Sequence, residues 1–177
     1  MNFYLNKICN AMKRISKNKN TIFLGQSIKY SGNSIYASLK DVPLKKKIEL
    51  PVFEDVQMGM TIGLAMQGFV PITCYPRFDF LILALNQLVN HADKIDHLTS
   101  NQFKSKIIIR TLVGAKYPLD AGPQHTQDHT EALKKLLINT KIIKISKNSN
   151  VLKEYLLPFK NNKYKIFLFV EDGSNYS

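Results

Sequence analysis

Glu54 is placed where a carboxylate could handle a proton. It follows the apolar run Leu50-Pro-Val-Phe53 and opens a stretch to Gly68 in which Gly59 and Gly63 lie four apart. Such a setting suits a carboxyl that shares a proton with a ligand rather than staying fully solvated. A carboxylate at a helix start is also favoured by the helix dipole alone, and both readings stand. His125, in the glycine- and proline-bearing segment 112–127, could donate to a developing negative charge or shuttle a proton near neutral pH. Its plainer reading is a surface loop histidine. His125 and His129 have the i, i+4 spacing of a zinc pair, but the glutamate and third ligand of the metalloprotease pattern are missing, so no metal site is expected. His129 is expected on the surface, and His91 and His97 on a helix. Cys9 and Cys74 form no CxxC and no metal-ligand spacing, which fits a reduced, cytoplasmic protein.

The elements that must hold these residues alternate. Leu5, Ile8, Ala11, Met12 and Ile15 recur at helical spacing, and a strand over 21–24 follows. Residues 25–47 read as a loop with a turn of helix around 35–39. A strand over 48–53 leads into an apolar helix over 54–68 whose glycines, Gly59 and Gly63, would allow another helix to approach closely, either across a subunit contact or buried within the domain. A strand over 70–75, a helix over 79–98, a strand over 106–111, the loop 112–127 and a helix over 128–139 capped by Asp128 come next. A strand over 141–146, a helix over 149–157 and a strand over 165–170 complete the series. Strands that are apolar throughout, alternating with helices, predict a three-layer α/β domain: a mostly parallel sheet of about six strands covered by helices on both faces. In such sheets ligands bind outside the carboxyl ends of the strands, which points to the junctions after residues 24, 53, 75 and 111.

The chain has 177 residues, the length of one ordinary domain, with 45% hydrophobic and 21% charged residues. The net charge of +12 comes from lysines in scattered short runs that do not interleave with an aromatic platform, so nucleic-acid binding is not expected. The first fifteen residues lack a continuous apolar core, and no apolar run approaches membrane-spanning length, so neither a signal peptide nor a membrane span is expected.

At those junctions the sequence resembles a known family. Leu50-Pro-Val-Phe-Glu54, Gly59, Gly63, Ala65-Met-Gln-Gly68 and Pro71-Ile-Thr are followed in order by Phe78-Asp79-Phe80, Asn86-Gln-Leu-Val-Asn90 with Ala92-Asp-Lys94, and Ile109-Arg-Thr111. Gly122-Pro-Gln-His-Thr-Gln127 with Glu131-Ala132, then Phe167–Glu171 and Tyr176, close the series. Together they resemble the transketolase-like pyrimidine-binding domain of thiamine-diphosphate enzymes, above all the beta subunits of 2-oxo acid dehydrogenase decarboxylating components. The resemblance covers about residues 3–177, and it rests on the colinear order rather than on any one motif.

The resemblance implies thiamine diphosphate as cofactor. Glu54 would hydrogen-bond a ring nitrogen of the aminopyrimidine, and His125 would handle the substrate carboxylate or the acyl intermediate. The position that stacks on the pyrimidine falls on Arg77, with Tyr75 and Phe78 the neighbouring rings. Gln26 stands where relatives often carry Gly-Glu-Asp. The chemistry implied is decarboxylation of a 2-oxo acid, or two-carbon or acyl transfer from it or from a ketose. The family's diphosphate motif, Gly-Asp-Gly with a downstream Asn, is not met by Glu171-Asp-Gly173. The cofactor is therefore expected at a subunit interface, with the diphosphate and Mg2+ held mainly by a partner, in an alpha2beta2 heterotetramer. The alternative is a non-catalytic binding or regulatory module on the same fold.

Overall fold

Ile107–Val113 and Ile166–Asp172 carry apolar side chains at almost every position because both of their faces are covered. In the computed structural model, which describes residues 2–117 and 120–176, they are β4 and β6 of a six-stranded sheet. The remaining strands are β1 (Thr21–Gly25), β2 (Lys47–Glu49), β3 (Val70–Tyr75) and β5 (Thr140–Ile145). Their order is β2-β1-β3-β4-β6-β5, and every pairing is parallel. All six strands therefore end on the same edge.

Alternation along the strands divides the apolar side chains between two cores. Ile108, Leu112, Phe167 and Phe169 pack with α1 (Phe3–Ser16), α2 (Ser34–Ser38) and α7 (Val151–Lys160). Ile107, Ile109, Ile166, Leu168 and Val170 point the other way, against α3 (Glu54–Met66), α4 (Phe78–Leu81), α5 (Ile95–Leu98) and α6 (Thr130–Leu136). This is the three-layer α/β arrangement expected, with a sheet that is parallel throughout. Cys9 and Cys74 are buried and free, and burial pushes the Cys74 thiol up to about 11.

Three of the boundaries that differ from expectation have a local physical cause. The strand expected over 48–53 stops at Glu49. Leu50 still donates to the Gly25 carbonyl at 3.0 Å, but Pro51 has no N–H to continue the ladder, and residues 50–53 leave the sheet. The single helix expected over 79–98 is a broken series in which α4, a 3-10 turn (Ile82–Ala84), a π-helical segment (Gln87–Ala92) and α5 keep one buried stripe of Leu81, Leu88, Ala92 and Ile95. The helix expected over 128–139 ends at Leu136. Buried Asp93 captures the next backbone, accepting from Ile138 N and Asn139 N at 3.0 Å each and from Thr140 Oγ1 at 2.7 Å. Pro118, expected in the loop 112–127, lies outside the described residues.

Arg110 and Glu171 are fully buried on the α1–α2–α7 side of β4 and β6. Arg110 Nη2 lies 2.8 Å from Glu171 Oε1, Arg110 Nε donates to the same oxygen at 2.8 Å, and Nη1 donates to Ser38 Oγ at 3.2 Å. The hydroxyls of Tyr155 and Tyr176 donate to the two carboxylate oxygens. Burial works against the guanidinium charge, but Glu171 more than offsets it and holds Arg110 well above its ordinary value. Burial and the same carboxylate push both tyrosines up. The motifs Ile109-Arg-Thr111 and Phe167–Glu171 with Tyr176 thus meet as one network.

Removing one partner of such a pair strands the other charge. Glu171→Ala should cost about 3–5 kcal/mol in urea unfolding, whereas the apolar double replacement Arg110→Met with Glu171→Leu should recover most of that loss.

Candidate active site

The carboxyl edge of the sheet gathers the residues singled out in the sequence. After β1, Gly25 has φ +153°, and a Cβ there would sit 2.4 Å from the Cys74 carbonyl oxygen, so the turn passes against β3 with no room for a side chain. Glu49, at the end of β2, holds the next turn: its carboxylate accepts from Ser27 N, from Ile28 N at 2.9 Å and from Lys29 N at 2.8 Å. That turn fixes Gln26, whose buried Oε1 has no partner. Glu49 was hidden in the sequence because it reads as one more strand residue.

Glu54 is the first residue of α3. Its side chain packs inward, leaving the residue 5% exposed, and its carboxylate receives no hydrogen bond from the described residues. No side chain caps this helix, so its first-turn N–H groups and dipole favour an acidic group. The helix is pinned by Gln57, whose Nε2 donates to Thr73 Oγ1 at 2.8 Å and to the Cys74 carbonyl at 3.1 Å. Tyr75 donates its hydroxyl to the Glu54 carbonyl at 3.2 Å, which ties the carboxylate's backbone to the end of β3.

The helix is buried on one side only. Glu54, Gln57, Met58, Thr61 and Ala65 face inward, while Val56 and Met60 stay exposed beside Gly59 and Gly63. A Cβ on either glycine would meet nothing within 4 Å, so among the described residues no helix uses the close approach they permit. Of the two readings of this helix, burial on every side within the domain is therefore not met. Val52 and Phe53, 76% and 60% exposed, extend the open apolar face to the doorstep of Glu54.

Of the three candidates for stacking, Tyr75 and Phe78 are fully buried and Arg77 is not. Burial also pushes the Tyr75 hydroxyl up. Arg77 Nη1 donates to the Pro76 carbonyl at 2.8 Å, while its buried Nε is unpaired.

His125 comes to the same edge from the loop after β4. A Cβ at Gly114 would lie 1.9 Å from the His125 carbonyl oxygen and 3.4 Å from Arg77 Cδ, so that glycine seats the histidine loop against the end of β3. His125 packs edge-on to Phe80, with ring centroids 5.5 Å apart, and its buried Nδ1 is unpaired. Asp79, Phe80, Ile82, Leu83, His125 and His129 line a pocket of about 540 Å3. His129, expected on the surface, instead sits 3.6 Å from Asp79 and edge-on to Phe78. Neither Asp79 nor His129 was readable as a site residue, because their meeting depends on how β3 and α6 are placed in space. Asp128 accepts from Thr130 N at 2.9 Å, so it does support the start of α6. Burial alone would raise its carboxyl, but Lys144 and Thr130 outweigh that and lower it.

Glu54 is tied to Tyr75, and Arg77 reaches the Gly114–His125 contact, so the candidates form one continuous rim. The structure does not bring Glu54 into the pocket that holds His125. Among the described residues no group of three His, Cys, Asp or Glu could hold a metal. No helix among them is long and apolar enough to cross a membrane.

This sheet and its helices define a transketolase-like α/β fold. A solved structure titled "Split gene transketolase, inactive beta4 tetramer" matches 94% of this chain and 49% of its own, with a TM-score of 0.58 at 13% identity. The sequence is similar to that of the pyruvate dehydrogenase E1 component subunit beta of Gracilaria tenuistipitata var. liui, 33% identical over 116 residues, which is 63% of this chain and 35% of that protein. It is also similar to the 2-oxoisovalerate dehydrogenase subunit beta of Bacillus subtilis (strain 168), 25% identical over 146 residues, covering 80% and 43% of the two chains. The matched region thus spans less than half the length of these relatives. No protein-family model matches the chain. The resemblance to 2-oxo acid dehydrogenase beta subunits drawn from the colinear motifs is borne out.

The Gly114 contact gives a direct check on how His125 is held. Gly114→Ala should leave the strands folded but displace the His125 loop, costing about 1–3 kcal/mol in thermal or urea unfolding. The His125 ring resonances should move while those of His91 and His97 stay in place.

Proposed function

We propose that this chain is the pyrimidine-binding subunit of a thiamine-diphosphate-dependent enzyme acting on a 2-oxo acid or a ketose, working with a partner subunit that holds the diphosphate and Mg2+. The observation that carries this reading is a concentration of unmet polar groups at the carboxyl edge. Among the described residues, six of the ten buried side-chain atoms without a hydrogen bond belong to Gln26, Arg77, Asp79, His125 and His129. Buried polar atoms are nearly always paired, so a cluster of exceptions on a ligand-binding edge marks a place completed by a ligand.

The residues present fit an aminopyrimidine. Glu54 would share a proton with a ring nitrogen through a carboxyl oxygen, and the Gln26 amide would bond the ring's polar edge. Arg77 would offer a guanidinium plane for stacking, as Arg can against a ring. When bound, thiamine diphosphate supplies the carbon nucleophile and the electron sink. The chain's own share is to hold and exchange the Glu54 proton, to present His125 to the substrate as donor or proton carrier, and to exclude water with Phe80 and Leu83.

A partner is supported by the open apolar face of α3. Val56, Met60 and Gly63 follow at i, i+4 and i+7, and with Val52 and Phe53 they form an unpaired strip adjoining Glu54. The relatives named above are themselves called subunits beta, which agrees with an alpha2beta2 assembly. The second reading, a non-catalytic binding module, is favoured by the complete burial of Tyr75 and Phe78, which leaves neither ring open to stack.

Co-expression with a chain bearing Gly-Asp-Gly and a downstream Asn should give thiamine-diphosphate-dependent turnover of a 2-oxo acid or ketose. Glu54→Ala should lower that turnover by about 100-fold or more, in the range of general acid–base contributions, without dissolving the complex. A Glu54→Ala complex with full activity sinks the catalytic assignment, and a correctly assembled complex with no turnover favours the binding module. Met60→Glu should leave the isolated chain's unfolding within about 0.5 kcal/mol of the parent, as surface changes usually do, yet abolish co-purification with the partner.

A further inference from the structure

Asp79 is the least satisfied charged group of the pocket. Its side chain is 9% exposed, and neither carboxylate oxygen receives a hydrogen bond. His129 Nε2 is 3.6 Å from Oδ1, just beyond hydrogen-bond reach, and it too is unpaired. A buried carboxylate has lost its hydration, and only a donor can replace it. Even if the His129 ring closed the gap, Oδ2 would still need a donor. On the pocket side stand His125, with its unpaired Nδ1, the amides of Gln124 and Gln127, neither of which bonds Asp79, and the apolar walls Phe80, Ile82 and Leu83.

We infer that Asp79 and His129 form a subsite for a neutral hydroxyl group on a small ligand. The ligand hydroxyl donates a hydrogen bond to the Asp79 carboxylate, and the His129 imidazole N–H donates to the same hydroxyl oxygen. A ligand carboxylate at this end would meet the like charge of Asp79, and an apolar end would leave Asp79 unpaired. The inference rests on reading the pocket as the substrate end of the proposed site. It narrows that reading, because a hydroxyl-bearing substrate is favoured over a plain aliphatic 2-oxo acid.

The test uses the full chain without cofactor or partner. With the four histidines isotope-labelled, 1,3-dihydroxyacetone should shift the His125 and His129 resonances and leave those of His91 and His97 unmoved. The aliphatic comparator 2-oxobutyrate should bind about tenfold more weakly or worse, the scale of a hydrogen bond to a charged group. Asp79→Asn should weaken dihydroxyacetone binding by about the same factor. The same variant should raise the thermal midpoint of the ligand-free chain, because an unpaired buried charge is gone. A dihydroxyacetone titration that leaves His125 and His129 unmoved overturns the inference, and so does 2-oxobutyrate binding as tightly. A lowered midpoint for Asp79→Asn would make Asp79 a structural partner of His129 and would also overturn it. Because thiamine diphosphate plays no part, failure of the reconstituted complex to bind or use the cofactor would count against the proposed function and leave this result readable by itself.

Discussion

The Arg110–Glu171 pair joins the neighbouring inner strands β4 and β6, and much of the candidate site hangs from those two strands. β4 runs into Gly114 and the His125 loop, while β6 runs into Gly173, where a Cβ would lie 2.6 Å from the Val113 carbonyl oxygen. Two strands that exit so closely must keep their register. A buried ion pair satisfied by Ser38, Tyr155 and Tyr176 fixes that register against α2, α7 and the C-terminal turn Gly173–Tyr176 at once. The cost of burying two charges is offset by the hydrogen bonds of Arg110 Nε and Nη1 and of the two tyrosine hydroxyls, with Arg110 Nη2 held by the ion-pair contact to Glu171 alone. The other face of the sheet is thereby left to α3, α4 and α6, which carry the site.

The two ends of the sheet treat polarity in opposite ways. In the core, Gln57, Asp93 and Glu171 are buried and richly bonded, and each ties distant elements together. At the carboxyl edge, Gln26, Arg77, Asp79 and His125 are buried with atoms left unpaired. The contrast separates groups that stabilise the fold from groups held ready for something else. It also explains the role of Glu49 and Gly114, which hold no ligand but fix the turns that present Gln26 and His125.

Much of this was legible in the sequence. Near-continuous apolar strands alternating with helices announced a covered parallel sheet, and the tendency of ligands to bind outside the carboxyl ends of such strands located the edge to inspect. The placement of Glu54 at a helix start was legible because its lead-in, helix and glycine spacing are local in sequence. The break after Glu49 was partly written in Pro51, and the apolar pull of Val52 and Phe53 obscured it. What could not be read were meetings between distant segments: Asp79 with His129, Glu49 with the turn after β1, Asp93 with the end of α6. The glycines of α3 were legible as small residues, but whether they faced a neighbour or open space depended on packing that local pattern does not encode.

The account stands or falls on Glu54 as a carboxylate that waits for a ring nitrogen. The most direct measurement is the distance between the two in a crystal structure of the chain assembled with its diphosphate-binding partner, thiamine diphosphate and Mg2+. The account predicts a Glu54 carboxyl oxygen at hydrogen-bond distance, about 2.6–3.2 Å, from the pyrimidine nitrogen, with α3 packed against the partner. A pyrimidine ring seated elsewhere, with Glu54 facing solvent or paired with a protein side chain, would contradict it.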